Sequence, residues 1–355
     1  MNLRSGTLYW PTTTPRPAIA TRSPRRVRVD ALIIGAGITG ALAAHVLSSA
    51  GARVAIIDRR RPVNASTPAS TALLQYELDM PLTRLAKHRG VRDANAVYRA
   101  SVDTLHDLAS LCDDLNQDVE LRPRISLHLA TKPSSLTRLR AEVAARSKLS
   151  VACEFLSRDD LKSRFAIDRP GALLSRHAFE VNPVKLTQAL LHAATSRGTI
   201  LLPPDDLDLA CLAESARPFR VVHSGGTAIT ASHVIIATGY ETPEQFALVR
   251  SMVELRSTYA IATKPIAGEP WPQRALLWET GDPYFYARTT CDGRVLMGGL
   301  DDLEVDPDKR TAKIKAKSRR LLSRLRHTIP DQRFAIDFAW AGTFAQTRDA
   351  CPLIG

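Results

Sequence analysis

The chain has 355 residues, enough for roughly two domains at ~100–200 residues each. With 45% hydrophobic and 24% charged residues it has the make-up of a globular protein, which excludes a mainly disordered chain. The net charge of +12 is scattered except in an N-terminal arm (Arg16, Arg22, Arg25, Arg26, Arg28) and in residues 309–326; no aromatic residues interleave with these charges, so a nucleic-acid partner is not expected.

In chain order, residues 1–29 contain four prolines and no acidic side chain, which suits either a transit peptide or a poorly ordered arm. Residues 31–47 lack Asp, Glu, Lys and Arg. Placed after Arg25-Arg26 and before Ala50-Gly51-Ala52, they imitate a twin-arginine export signal, and are slightly short for a membrane span. Asp30 and the glycines Gly35, Gly37 and Gly40 argue against both readings.

Those glycines belong to a βαβ pattern. Residues 27–34 are β-branched and apolar, as a buried parallel strand requires. Gly35-Ala36-Gly37-Ile38-Thr39-Gly40 is a full GxGxxG, residues 41–50 continue as an Ala/Leu-rich helix, Gly51 ends it, and residues 53–57 form a second strand closed by Asp58. Gly35 permits a tight turn, Gly37 lets backbone approach a pyrophosphate, and Gly40 lets helix and strand pack closely. Free N–H groups at the helix start attract phosphate. Asp58 lies 23 positions after Gly35, where an acid accepts from ribose hydroxyls. The unit is expected to hold the ADP half of a dinucleotide. Arg59-Arg60-Arg61, just past the second strand, would also suit NADP.

Residues 63–79, VNASTPASTALLQYELD, bring small hydroxyl side chains suited to phosphate and to close approach of a flat ring; a capped helix starting at Ser70 or Thr71 is the blander reading. Residues 82–115 have helical periodicity, 126–130 read as a strand and 134–148 as a helix. Val181-Asn182-Pro183 opens a helix reaching Arg197, and residues 234–239 form a strand ending in Ala237-Thr238-Gly239. Residues 259–263 are another strand, and 283–290 and 294–299 a hairpin turned by Asp292-Gly293. On its first strand Tyr284, Tyr286 and Arg288 share one face, which either lines a substrate site or meets solvent or the other domain. Gln75 and Tyr76 are weaker substrate candidates. Residues 309–326 read as an amphipathic helix with a wet basic face. His45, His88, His106 and His128 occur singly and read as packing or surface residues. Cys112, Cys153, Cys211, Cys291 and Cys351 are odd in number and form no CxxC, so neither a disulfide framework nor a metal site is expected, and reduced thiols point to the cytoplasm.

In combination, GAGITG, Asp58-Arg59, the STPASTALLQYE stretch and the later ATGY resemble the FAD-dependent oxidoreductases of the D-amino acid oxidase and glycine oxidase superfamily, over the whole chain. The resemblance implies FAD as cofactor. It places Gly35, Gly37, Ile38, Thr39, Gly40, Asp58 and Arg59 at the ADP, Ser66, Thr67, Ser70 and Thr71 along the pyrophosphate and flavin, and Ala237, Thr238 and Gly239 at the strand returning to the cofactor. Trp340-Ala341-Gly342 and Asp349 match a late motif near the flavin. The implied fold is α/β (α+β overall): a Rossmann-like FAD-binding domain from residues 28–81, 171–245 and 331–355, interleaved with a mixed-sheet substrate domain from 82–170 and 246–330, after an arm at 1–27.

The implied reaction oxidises a C–N bond of an amine or N-substituted amino acid by hydride transfer to flavin N5, with the electron acceptor open and no membrane span. Glycine oxidases carry an Arg two positions after the WAG motif to grip the substrate carboxylate; here that position is Phe344, so a simple α-amino acid lacks this partner unless Arg288 or another residue supplies it. Ala65 and Pro68 stand where the resembling branch favours Gly and Ala, and Asp349-Ala350-Cys351 where Asp-Gly is common. The chain stops at Gly355, ahead of a glycine-rich strand-to-helix segment of the family, which raises the alternative of a truncated or partner-dependent flavoprotein; an NADP-dependent reductase is the other alternative.

Overall fold

Two β-sheets carry the architecture of the computed structural model, which describes residues 2–15, 19–207, 218–223, 225–241, 246–279, 281 and 283–354. Arg16, Cys211 and Gly355 lie outside the described residues. The smaller sheet has five strands in the order Ile200–Leu201, Val54–Ile57, Arg26–Ile34, Ala228–Ile236, Phe219–Val222. All its pairings are parallel except the last. Its central strands are apolar on both faces because helices Ile38–Ser49 and Pro183–Ser196 cover one side; Ile33, Ile56, Ala41, Ala44, Leu190 and Leu191 pack there in one cluster. Pro183–Ser196 starts where the sequence predicts, with Asn182 Oδ1 accepting from the backbone N–H groups of Val184 and Lys185, each at 3.1 Å.

The larger sheet runs Arg4–Thr7, Ile336–Thr347, Val253–Thr263, Val295–Asp302, Phe285–Thr289, Leu276–Glu279, Arg122–Leu129, Gly171–Glu180, Leu73–Gln75, and Cys153–Ser157 also pairs with Gly171–Glu180. The molecule is thus of mixed α/β class, as expected. The sequence places 171–245 and 331–355 with the nucleotide-binding part; of these, Gly171–Glu180 and Ile336–Thr347 run in the large sheet. Val181 and Asn182 alone separate Gly171–Glu180 from the helix that covers the small sheet, so the chain crosses between the two sheets there.

Several local expectations change. The arm is not loose over its first residues: Arg4–Thr7 pairs antiparallel with Ile336–Thr347, and Trp10 is 1% exposed. Residues 82–115 form two helices, Leu82–Arg89 and Val91–Asp114, broken at Gly90 with φ +84°. No helix starts at Ser70 or Thr71: a short 3₁₀ turn, Thr67–Ala69, runs into strand Leu73–Gln75. Residues 31–47 are spent on a buried strand and its helix, and no helix among the described residues is long and apolar enough to cross a membrane. Helix Pro307–Thr328 is amphipathic, but not all of its basic residues are wet. Arg310 is fully buried, donating to Ser5 Oγ, Thr343 Oγ1 and Asn2 O, while Lys313 and Lys317 both pair with Asp302.

Candidate functional site

Strand register assembles the first part of the site. Ile34 pairs with both Ile57 and Ile236. The next residues, Gly35, Asp58 and Ala237, therefore emerge side by side at the carboxyl ends of three parallel strands, where open α/β sheets bind ligands. The glycines divide their work. A Cβ on Gly35 would lie 2.3 Å from Ala237 O, and one on Gly40 only 1.8 Å from Gly35 O. Both are demanded by backbone packing. Gly37 has only Thr67 Oγ1 within reach of such an atom, at 3.3 Å, and lines a cavity of about 440 Å³.

That cavity is walled by Gly35, Gly37, Ile38, Thr39, Asp58, Arg59, Ser66, Thr67, Ala237, Thr238 and Gly239, so eleven of the fourteen cofactor candidates meet in one place. Asp58 accepts from Ala36 N–H at 2.7 Å and from Arg60 N–H at 2.8 Å, tying the second strand to the glycine turn. Gly37 caps helix Ile38–Ser49 without a side-chain acceptor of its own; Thr67 Oγ1 accepts from Ile38 N–H at 3.2 Å. Of the remaining candidates, Gly40 is packed behind the turn, and Ser70 and Thr71 lie on a second cavity.

Residues 66–71 form a strap between the two cavities, and three successive carbonyls of the strap are fastened from outside. Trp340 Nε1 donates to Ala69 O at 2.8 Å, Trp10 Nε1 to Ser70 O at 2.7 Å, and Arg288 Nε to Thr71 O at 2.7 Å. Arg288 is 2% exposed, also donates to Val181 O at 2.9 Å, and does not line the second cavity. Arg288, one of the substrate-facing candidates, is instead buried away from that cavity, with Nε and Nη2 on backbone carbonyls and Nη1 3.7 Å from Glu180.

The second cavity, about 560 Å³, is lined by Tyr284, Tyr286 and Gln75 among the expected residues, together with Ser70, Thr71 and Phe344. Tyr76, the weaker candidate, is buried behind it against Tyr98 and Arg146. Tyr284 donates to Asp301 Oδ2 at 2.5 Å; burial pushes its phenol far above the usual range, so it stays protonated. Burial also raises the Asp301 carboxyl. Glu77, Asp79, Arg256, Trp278, Glu279 and Asp301 line the cavity too, and sequence reasoning missed all six. Glu77 and Asp79 follow strand Leu73–Gln75, Trp278 and Glu279 share strand Leu276–Glu279, and Arg256 and Asp301 come from two further strands; the available signal was position, since Arg256 lies directly opposite Phe344 in the antiparallel register. A larger hollow of about 900 Å³ under the arm, beside helix Pro183–Ser196, contains none of the motif residues.

A family model described as "DAO: FAD dependent oxidoreductase" matches residues 30–355. The chain belongs to the DAO family. A Bacillus subtilis (strain 168) protein carrying the name Rieske 2Fe-2S iron-sulfur protein is 23% identical over 257 residues, covering 72% of this chain and 49% of that protein; the chain thus spans about half the length of the curated relative it matches. Among solved structures, the glycine oxidase of Geobacillus kaustophilus has a TM-score of 0.68 at 20% identity, covering 93% of this chain and 86% of its own. The L-amino acid deaminase of Proteus myxofaciens gives 0.73 at 13% identity over 99% and 88%. The L-proline dehydrogenase of P. horikoshii gives 0.72 at 18% over 93% and 85%. These likenesses place the fold beside known DAO-type structures.

FAD is the cofactor of the DAO family, and the residues present fit its demands. An open glycine, a helix N-terminus whose N-cap residue has no side-chain acceptor and a carboxylate at the end of the neighbouring strand converge on one cavity, and the strap leads from there to the second. Two of the three basic residues that suited NADP are otherwise engaged: Arg59 and Arg60 both pair with Glu241, the latter at 2.6 Å. Glu241, just past the ATGY motif, is another residue that sequence reasoning did not single out.

Proposed function

We propose that this DAO-family chain is an oxidoreductase acting on the C–N bond of an amine or N-substituted amino acid. The observation that carries the reading is the strap: one loop lines the glycine-turn cavity with Ser66 and Thr67 and the second cavity with Ser70 and Thr71. A cofactor held at its phosphates in the first cavity would present its reactive end to the second. In this reading Gly37 and the helix N-terminus hold the pyrophosphate, Asp58 the ribose, and the rigid Ala69–Thr71 carbonyl run sets the depth of the flavin. Tyr284, Tyr286, Gln75 and Phe344 orient the substrate. FAD, when bound, supplies a hydride acceptor at N5 for the carbon next to nitrogen.

The test is an absorption spectrum of the purified protein followed by anaerobic titration with a panel of amines and amino acids. Flavin absorption that bleaches with an amine or N-substituted amino acid is expected, and recolouring on admission of air would mark oxygen as an acceptor. Protein that is colourless and takes up no FAD on reconstitution overturns the reading.

A further inference from the structure

The polar atoms that the second cavity leaves without partners are acceptors. Gln75 Oε1, Glu77 Oε2 and Asp301 Oδ1 are each buried and accept no hydrogen bond. Glu77 is 6% exposed, and only its Oε1 is met, by Arg146 at 3.2 Å. Among the described residues no buried donor of a lining side chain is left over in the same way. Asp79 adds a second carboxylate close enough to Asp301 to feel its charge. Glu279 is already neutralised by Arg169 and Arg324. The one basic residue among the described residues of the wall, Arg256, has its Nε on Glu254 at 2.7 Å and a terminal nitrogen on the same carboxylate at 2.6 Å.

The rest of the lining is aromatic. Tyr284 and Tyr286 lie with ring centroids 6.1 Å apart, and Trp278 and Phe344 share the cavity with them. Ring faces attract cations, and carboxylates and amide oxygens accept N–H groups. A ligand that matches such a wall donates hydrogen bonds, is positively charged and presents C–H groups to rings. A carboxylate would face the acceptor oxygens of Gln75, Glu77 and Asp301, with the cation Arg256 already held by Glu254.

We propose that this cavity selects amines that carry no carboxylate, with the alkylammonium held against Asp301 and the neighbouring acceptors of Gln75 and Glu77. The proposal rests on the reading of the cavity as the substrate site for C–N oxidation, and narrows it to one of that reading's two substrate classes.

Two isosteric probes test it without turnover. tert-Butylammonium has no hydrogen on the carbon next to nitrogen, so it cannot be oxidised; pivalate has the same shape with the opposite charge. Each is titrated calorimetrically into the FAD-loaded protein. The amine is expected to bind at least about tenfold more tightly than pivalate. Asp301→Asn is expected to weaken amine binding by about tenfold or more with FAD content unchanged. Gln75→Lys, which sets a cation against the same wall and leaves the Tyr284–Asp301 bond alone, should give a similar loss. Pivalate binding as tightly as the amine, or amine binding untouched by both variants, overturns the proposal. If oxidisable amines and amino acids then bleach the flavin, the C–N oxidation reading survives that failure. If nothing bleaches it, that reading fails, while the calorimetry still decides the charge preference.

Discussion

Gly37 and Gly40 share a motif but carry different loads. Gly40 is held against the Gly35 carbonyl, where a methyl group cannot fit, whereas Gly37 opens onto the cavity. Gly40→Ala is expected to yield little folded protein. Gly37→Ala should fold with a near-normal melting temperature but bind FAD at least about tenfold more weakly, a loss of ~1.4 kcal/mol or more. Flavin content and thermal denaturation of the two variants check the contrast; equal effects on both readouts would contradict it. The motif made all three glycines visible in the sequence, but their separate duties follow from which backbone atoms surround each, and no spacing rule reports that. Arg288 shows the same limit. Strand alternation puts it on a face with Tyr284 and Tyr286, yet only packing reveals that its Nε and Nη2 end on Thr71 O and Val181 O and its Nη1 beside Glu180.

At the scale of elements, His128 on strand Arg122–Leu129 stacks on Trp278 of the neighbouring strand, with ring centroids 3.9 Å apart and planes 14° from parallel. Burial lowers its pKa from 6.5 to about 3. The unfolded chain therefore binds a proton there that the folded protein refuses. Stability should fall as pH drops from 6.5 towards 3, with a slope of up to ~1.4 kcal/mol per pH unit for this one group, and level off below, where both states are protonated. His128→Phe retains the stack and should flatten that part of the curve, as urea denaturation across the range would show. The strap yields another expectation. Trp340→Phe removes the donor to Ala69 O, a half-buried hydrogen bond whose loss costs about 1 kcal/mol. A lower melting temperature with reduced flavin content is expected; an unchanged flavin content would mean that the strap does not set the cofactor. The strands and helices themselves were largely legible, since apolar periodicity and Asn182-Pro183 are local signals. The helix Pro307–Thr328 was legible as amphipathic, but the burial of Arg310 depends on Asn2, Ser5 and Thr343, far away in sequence.

For the whole molecule, the nucleotide unit could be read because strand, glycine turn, helix, strand and Asp58 are contiguous. The second cavity could not. Its lining joins Ser70, Thr71, Gln75, Glu77 and Asp79 to Arg256, Trp278, Tyr284, Tyr286, Asp301 and Phe344, brought together by the order of strands in the large sheet. In the proposed reading cofactor binding spans both regions, so it should stabilise the protein as a unit. FAD at about 100 times its dissociation constant should add ~2.7 kcal/mol, raising the melting temperature, while NADP at the same concentration should leave it unchanged. A shift with NADP would restore the reading that the pairing of Arg59 and Arg60 with Glu241 argues against.

The strap also imposes an order in time. Its three carbonyls are fastened by residues 60 positions upstream and 217 and 271 positions downstream. During synthesis the glycine turn and Asp58 are complete long before Trp340 emerges, and distant closures of this kind are slow to form. The adenine end of the cofactor should therefore find its seat in an early, loosely held species, and the flavin end only once the chain has closed on itself. In refolding experiments this predicts two phases: early binding of a fluorescent adenine-nucleotide analogue, then a later change in flavin fluorescence that Trp340→Phe delays.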